Sequence, residues 1–183
     1  MHAFPDVELA TPRTRLRAFQ ASDVPALQEM GADPVTQMWM PLPSPFTEET
    51  ALSWITATGS GADTSVRLVR AVEVNGRMAG TVDFKRTEWA PSWVTEIGYI
   101  SAPWARSQGF ITEAVVAMTD WAIGELGFHR VVLRIAPANR ASLRVAEKAG
   151  FVREGVARSA GFLHGGRVDL VIFSRTPADS EVG

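Results

Sequence analysis

Cysteine is absent from the 183 residues, which excludes disulfides, thiolate metal sites, iron–sulfur clusters and a cysteine nucleophile together. Histidine is nearly as scarce, and His2, His129 and His164 are too scattered to commit to a metal site, so none is expected. No apolar run reaches the ~18 residues of a membrane span; the greasiest stretches, 114–123 and 168–173, are interrupted by charge. The start of the chain carries His2, Asp6 and Glu8 with no apolar signal core. The expectation is therefore a soluble, cytoplasmic protein with no membrane partner. Lys and Arg number 18 against 20 Asp and Glu, a formal charge of −2. That balance supplies no basic face for nucleic acid, so no nucleic-acid partner is expected.

What is present reads as globular: 46% of residues are hydrophobic and 21% charged, away from the composition of disordered chains. At ~150 residues per domain the length suits one domain. Thr14–Phe19 alternates as a strand, and Ser22 is expected to cap a short helix to Met30 with Pro25 in its first turn. Residues 31–46 hold four prolines among Met38, Trp39 and Met40 and read as an apolar loop; a helix follows from Thr47 to about Thr56. Gly59–Asp63 is a turn. Asn75-Gly76 between Val66–Val74 and Met78–Arg86 is a hairpin signal. Val94–Ile100 is a strand, and Thr112 is expected to cap a nearly apolar, buried helix that Gly127 closes after Leu126. Val131–Ile135 is a strand and should pair in parallel with Val94–Ile100. Asn139 opens a helix ending at Gly150, and two last strands, Val152–Ser159 and Val168–Ser174, flank His164-Gly-Gly166. This predicts an α/β domain with one mixed, mostly antiparallel sheet of about seven strands flanked by about four helices.

Chemistry concentrates in Arg106-Ser107-Gln108-Gly109-Phe110-Ile111-Thr112, a loop between a strand and a helix. A helix N-terminus has unpaired backbone N–H groups and a partial positive charge. Glycine permits close approach, and arginine adds a fork matched to phosphate. The loop thus reads as a pyrophosphate cradle. It is not a Walker loop, since no Gly-Lys-Ser/Thr follows, nor a three-glycine dinucleotide fingerprint.

With this loop, Glu96-Ile-Gly-Tyr99, Thr112-Glu-Ala114 and Asn139-x-x-Ser142 through Gly150-Phe151 resemble the GNAT superfamily of acetyl-CoA-dependent N-acyltransferases, RimJ/RimL-type branch. So do Asp33-Pro-Val-Thr36, Trp54-Ile55 and Gly165-Gly-Arg-Val-Asp169, in order over a core of about 12–175 within a single domain of 1–183. Ile111 departs from the small residue that usually ends the cradle.

The resemblance implies a V-shaped split between the strand ending near Ser101 and the strand 131–135, with acetyl-CoA as co-substrate lying in it. Ile100 would present its N–H to the thioester oxygen, Ser101 and residues 106–112 would receive the cofactor, and Asn139 would hold its pantetheine arm. Glu96 matches the strand glutamate that takes the amine's proton. Ser142 stands in for the tyrosine that protonates the leaving thiolate in many relatives, a position held here by Ala146. Tyr99 is either core with a satisfied hydroxyl or a cleft residue, and Trp39 either lines the acceptor side or simply packs. Trp54, Trp104 and Trp121 are expected in the core. The implied activity is direct acetyl transfer in a ternary complex to a primary amine, either a small molecule or a protein N-terminus, by a monomer or homodimer. The rival is a non-catalytic acyl-CoA-binding sensor or scaffold.

Overall fold

The computed structural model describes residues 4–58, 65–86, 93–163 and 165–180. The expected turn at 59–63 and the histidines at 2 and 164 lie outside the described residues. Among the described residues eight strands form one sheet: β1 (Leu9–Ala10), β2 (Arg15–Arg17), β3 (Arg67–Val74), β4 (Arg77–Lys85), β5 (Val94–Ser101), β6 (Arg130–Ile135), β7 (Val152–Leu163) and β8 (Gly166–Arg175). Their spatial order is β1-β2-β3-β4-β5-β6-β8-β7. The described residues also form six α-helices: α1 (Val24–Ala32), α2 (Pro34–Trp39), α3 (Glu48–Thr58), α4 (Phe110–Gly124), α5 (Arg140–Lys148) and α6 (Pro177–Ser180). The short β1 and the helices α2 and α6 exceed the sequence expectation of about seven strands and four helices.

The hairpin forms where Asn75-Gly76 places it, both residues having positive φ (49° and 76°). β5 and β6 are parallel and all other pairings are antiparallel. Alternation divides the central strands between two faces. Gly80 lies against Ile111 of α4, whereas Thr81, Asp83 and Lys85, one residue out of phase, line a cleft on the opposite face. α4 buries Phe110, Ile111, Ala114, Val115, Met118, Thr119 and Ala122, a stripe at helical spacing. Phe84, Phe173, Leu16, Leu68 and Met118 are among the largest fully buried side chains, each worth roughly 1.5–3 kcal/mol of burial.

Several local expectations are corrected. Ser22 caps nothing; a single 3-10 turn at Ala21–Asp23 precedes α1. There Asp23 accepts from the Gln20 N–H at 2.8 Å and from the buried Arg17, which also reaches Glu73 at 2.6 Å. The apolar loop contains α2, because Asp33 accepts the Thr36 N–H at 2.8 Å and Pro34 sits where a missing N–H costs nothing. Thr112 does not cap α4: Gly109, in the left-handed region at φ 82°, is the cap, and the helix ends at Gly124 rather than Leu126. Trp54, Trp104 and Trp121 are half-buried at the core's rim. His129 is exposed and immediately precedes β6. No described helix is long and apolar enough to cross a membrane.

Candidate active site

The parallel pairing of β5 and β6 stops at Glu96↔Val132. Beyond it β5 stays on β4 through Thr81↔Ile100 and Gly80↔Ser101. β6 instead follows β8 through Leu133↔Phe173 to Ile135↔Val171. The strands therefore splay from Glu96 onward, leaving residues 97–101 with a partner on one side only. A cleft of about 800 Å³ opens there, running from the loop at 105–112 to the β7–β8 hairpin.

At one end, Ser107 (φ 63°) and Gly109 (φ 82°) turn the backbone through left-handed conformations into α4. Turns of that kind gather N–H groups into a concave anion seat, and the first N–H groups of α4 lack intrahelical acceptors. Ile111 points its side chain at Gly80 and away from the seat, so its branching leaves the backbone accessible. Phe110 is buried beneath the loop, and Gln108 donates to the Trp104 carbonyl at 2.7 Å.

The guanidinium of Arg106 is turned elsewhere than expected. It forms a two-point ion pair with Asp33, Nη1 lying 3.3 Å from Oδ1 and Nη2 contacting Oδ2, and it approaches the Thr36 hydroxyl at 3.3 Å. Its hydrogen bonds hold the Asp33 carboxyl below the usual range, against the opposing effect of burial. Arg13, which sequence reasoning missed, supports the loop: it donates to the Gln108 carbonyl at 3.2 Å, pairs with Glu113 at 2.7 Å and lies 5.1 Å from the Phe110 ring centre. Nothing around Thr11-Pro-Arg13 in the sequence signals that role. Arg13 offsets the Glu113 carboxylate, which would otherwise oppose an anion at this helix end.

Midway along the cleft, Tyr99 and Ser142 meet. The Tyr99 hydroxyl is 2.7 Å from Ser142 Oγ and 3.1 Å from the Ser142 carbonyl oxygen, so its one proton can go to either. Ser142 is fixed in turn because Asn139, the cap of α5, accepts its N–H at 3.1 Å. Burial pushes the Tyr99 phenol up to about 12, outweighing the hydrogen bond to Ser142. Tyr99 is thus both cleft-lining and satisfied.

Further along the same face, antiparallel register sets Arg67, Lys85 and Glu96 in one row and Val69, Asp83 and Gly98 in the next. Glu96 is 7% exposed rather than solvated. Its Oε1 lies 2.9 Å from Lys85 Nζ, while Oε2 is buried without a hydrogen bond, 3.7 Å from an Arg134 nitrogen. Gly98 leaves the space that Asp83 occupies: a Cβ there would stand 2.8 Å from Asp83 Oδ1. Trp39, Leu42, Trp54 and Phe162 are among the apolar walls. Ile100, Ser101, Arg106, Ser107, Gly109, Ile111, Thr112 and Asn139 also line the cleft; Gln108 and Phe110 do not figure in its lining.

A splayed parallel pair with a glycine-capped helix at its mouth leaves an elongated cleft between two strands, open beside the unpaired N–H groups of a helix start. Residues 13–152 match the family described as the acetyltransferase (GNAT) domain, and the chain belongs to that family. It is similar to the probable N-acetyltransferase YjcK of Bacillus subtilis, 34% identical over 105 residues, which cover 57% of this chain and 58% of that one. Among solved structures, a GNAT-family acetyltransferase from Bacillus anthracis superposes with TM-score 0.81 at 23% identity, covering 93% of this chain and 98% of that one. Mycobacterium smegmatis RimJ, solved in complex with CoA-disulfide, superposes with TM-score 0.80 at 19% identity over 91% and 83% of the two chains.

Proposed function

We propose that this protein transfers an acetyl group from acetyl-CoA to a primary amine by direct attack, in the cytoplasm, where acetyl-CoA is available. The observation that carries this reading is the parting of β5 and β6 after Glu96↔Val132, beside the anion seat at Gly109. Bound acetyl-CoA supplies an acyl thioester; one N–C bond forms, one C–S bond breaks, a proton leaves nitrogen and one reaches sulfur.

The N–H groups at the start of α4 hold the pyrophosphate, and the free edge of residues 97–101 holds the pantetheine arm. The Ile100 N–H faces the thioester oxygen, where a fixed donor is worth most as charge develops. Ser142, oriented by Asn139 and Tyr99, keeps a hydroxyl for the departing sulfur. Glu96 receives the amine's proton through a water at Oε1, which can accept a second hydrogen bond beside that of Lys85, since Oε2 is sealed from solvent. Arg106 positions the loop through Asp33 rather than binding phosphate. Acetyl-CoA-dependent release of CoA thiol with a mixed pool of primary amines tests the reading. Tight acetyl-CoA binding with no amine-dependent release would mark a sensor instead.

A further inference from the structure

The acceptor half of the cleft carries an arginine whose pairing is incomplete. Arg67 gives its Nε to Asp83 Oδ2 at 3.0 Å, and its guanidinium carbon stands 5.8 Å from the Trp54 ring centre. These two contacts fix its plane. Among the described residues its two outer nitrogens have no hydrogen-bond partner, and its side chain, which lines the cleft, is 38% exposed. A braced arginine with an open fork matches a carboxylate or phosphate at two points.

The surrounding charges favour the same class of ligand. Among the described residues two carboxylates line the cleft, Asp83 and Glu96, and they already face Arg67, Lys85 and Arg134. A polycationic acceptor therefore finds no unmatched acid among the described residues that line the cleft, whereas an anion finds Arg67. The Asp83 row lies two residues from the Thr81↔Ile100 row, about 7 Å along the strands. The fork is thus close to where the amine must react, beside the apolar walls of Trp39, Trp54 and Phe162.

Resting on the transferase reading above, we infer that the acceptor is a small amine with an apolar body and a carboxylate or phosphate-like group a few bonds from its nitrogen, received by Arg67. A protein N-terminus, whose first carbonyl is an amide, lacks that anion.

Four matched amines test this: phenylalanine, its phosphonate analogue, phenylalaninamide and phenethylamine, with calorimetric titration of acetyl-CoA in parallel. At least one anionic member should exceed both partners that lack the anion in kcat/KM by ~10-fold or more, the scale of a charge-assisted pair. The carboxylate and phosphonate arms say which anion the fork takes. The amide has the less basic amine, so amine ionisation works against the expected result. Arg67→Met should bring the anionic-to-amide ratio to within about twofold of unity, and Arg67→Lys, which keeps charge without the fork and leaves Asp83 a partner, should lower it several-fold. Preference for the amide, or a ratio unchanged in Arg67→Lys, overturns the inference. No turnover of either anionic amine by a preparation that binds acetyl-CoA overturns the acceptor class alone, and absence of acetyl-CoA binding overturns the transferase reading with it.

Discussion

Arg106 and Asp33 clamp the loop before α4 to the cap of α2, through Nη1 at 3.3 Å from Oδ1 and a second contact from Nη2 to Oδ2. α2 ends at Trp39, so one ion pair ties the loop proposed to seat the phosphate to a cleft wall proposed to face the acceptor. Asp33→Ala removes a helix cap and a half-buried partner together, a loss of about 2 kcal/mol. In a domain of this size the melting temperature should fall by roughly 4–8 °C. KM should rise for both acetyl-CoA and the acceptor. A rise confined to one substrate would show that the clamp does not join the two sites.

The same pair sets an acid limit. Arg106 holds the folded Asp33 carboxyl below its ordinary value, so its contribution is complete above the unfolded pKa of about 4. It is lost as pH falls through the lower folded value. Asp33→Asn should flatten the wild-type loss of melting temperature below about pH 4. Glu154, held down by Arg130 in the same direction, accounts for part of the slope that remains. Identical acid slopes in both proteins would mean that Asp33 does not contribute.

Gly109 separates shape from charge. Its φ of 82° strains most side chains but suits asparagine, so Gly109→Asn isolates the effect of a side chain. Gly109→Asp adds a negative charge at the helix start, and acetyl-CoA should bind at least ~10-fold more weakly, a loss of ~1–2 kcal/mol. Calorimetry on the folded variants decides; equal affinity in Gly109→Asp and Gly109→Asn would remove the pyrophosphate from this loop.

Tyr99 and Ser142 share one proton line. If the phenol donates to Ser142 Oγ, the serine hydrogen is free to reach sulfur; if it donates to the carbonyl, the serine hydrogen points back at Tyr99. Ser142→Ala should lower turnover by ~10-fold or more, the low end for a positioned proton donor. Tyr99→Phe should cost less, and the double variant should match Ser142→Ala, since coupled groups do not add. Burial pushes the Tyr99 phenol up to about 12, so a descending limb of the rate near the ordinary phenol value of about 10 does not belong to it. Additive losses would separate the two hydroxyls into unrelated roles.

Local chemistry made the hairpin and the β5–α4–β6 unit legible: Asn75-Gly76 admits a two-residue turn, and β-branched runs flank an apolar helix. α2 was hidden because four prolines between 34 and 45 outweighed Asp33-Pro34, itself a sound cap-and-first-residue pair. Thr112 looked like a cap because threonine caps helices, but the left-handed Gly109 turned the chain earlier. The polar floor could not be read along the chain. Arg67, Asp83, Lys85 and Glu96 become neighbours only through antiparallel register, and Asp83 depends on a missing side chain at Gly98 one strand away. Arg106 is legible as a loop residue, but nothing in sequence brings Asp33 to it.

Glu96 carries the sharpest expectation, and its surroundings define two rival accounts. As the base, it takes the amine's proton through water while Lys85 occupies Oε1. As a tether, it only anchors Lys85 and Arg134 at the cleft floor. A positioned base contributes about 10²–10⁴-fold, and glutamine keeps the shape while losing the proton acceptor. Glu96→Gln should therefore lower turnover by at least ~10²-fold with acetyl-CoA affinity intact, because the loop at 106–112 does not touch it. Raising pH supplies neutral amine and should partly rescue the variant. Lys85→Met tells the accounts apart. It frees Oε1, so turnover should hold or rise if Glu96 is the base, and should fall along with Glu96→Gln if the ion pair itself is what matters. Turnover of Glu96→Gln within about threefold of wild type at neutral pH, far short of what a positioned base supplies, would reduce Glu96 to a strand residue. The acceptor would then arrive neutral or lose its proton to bulk water.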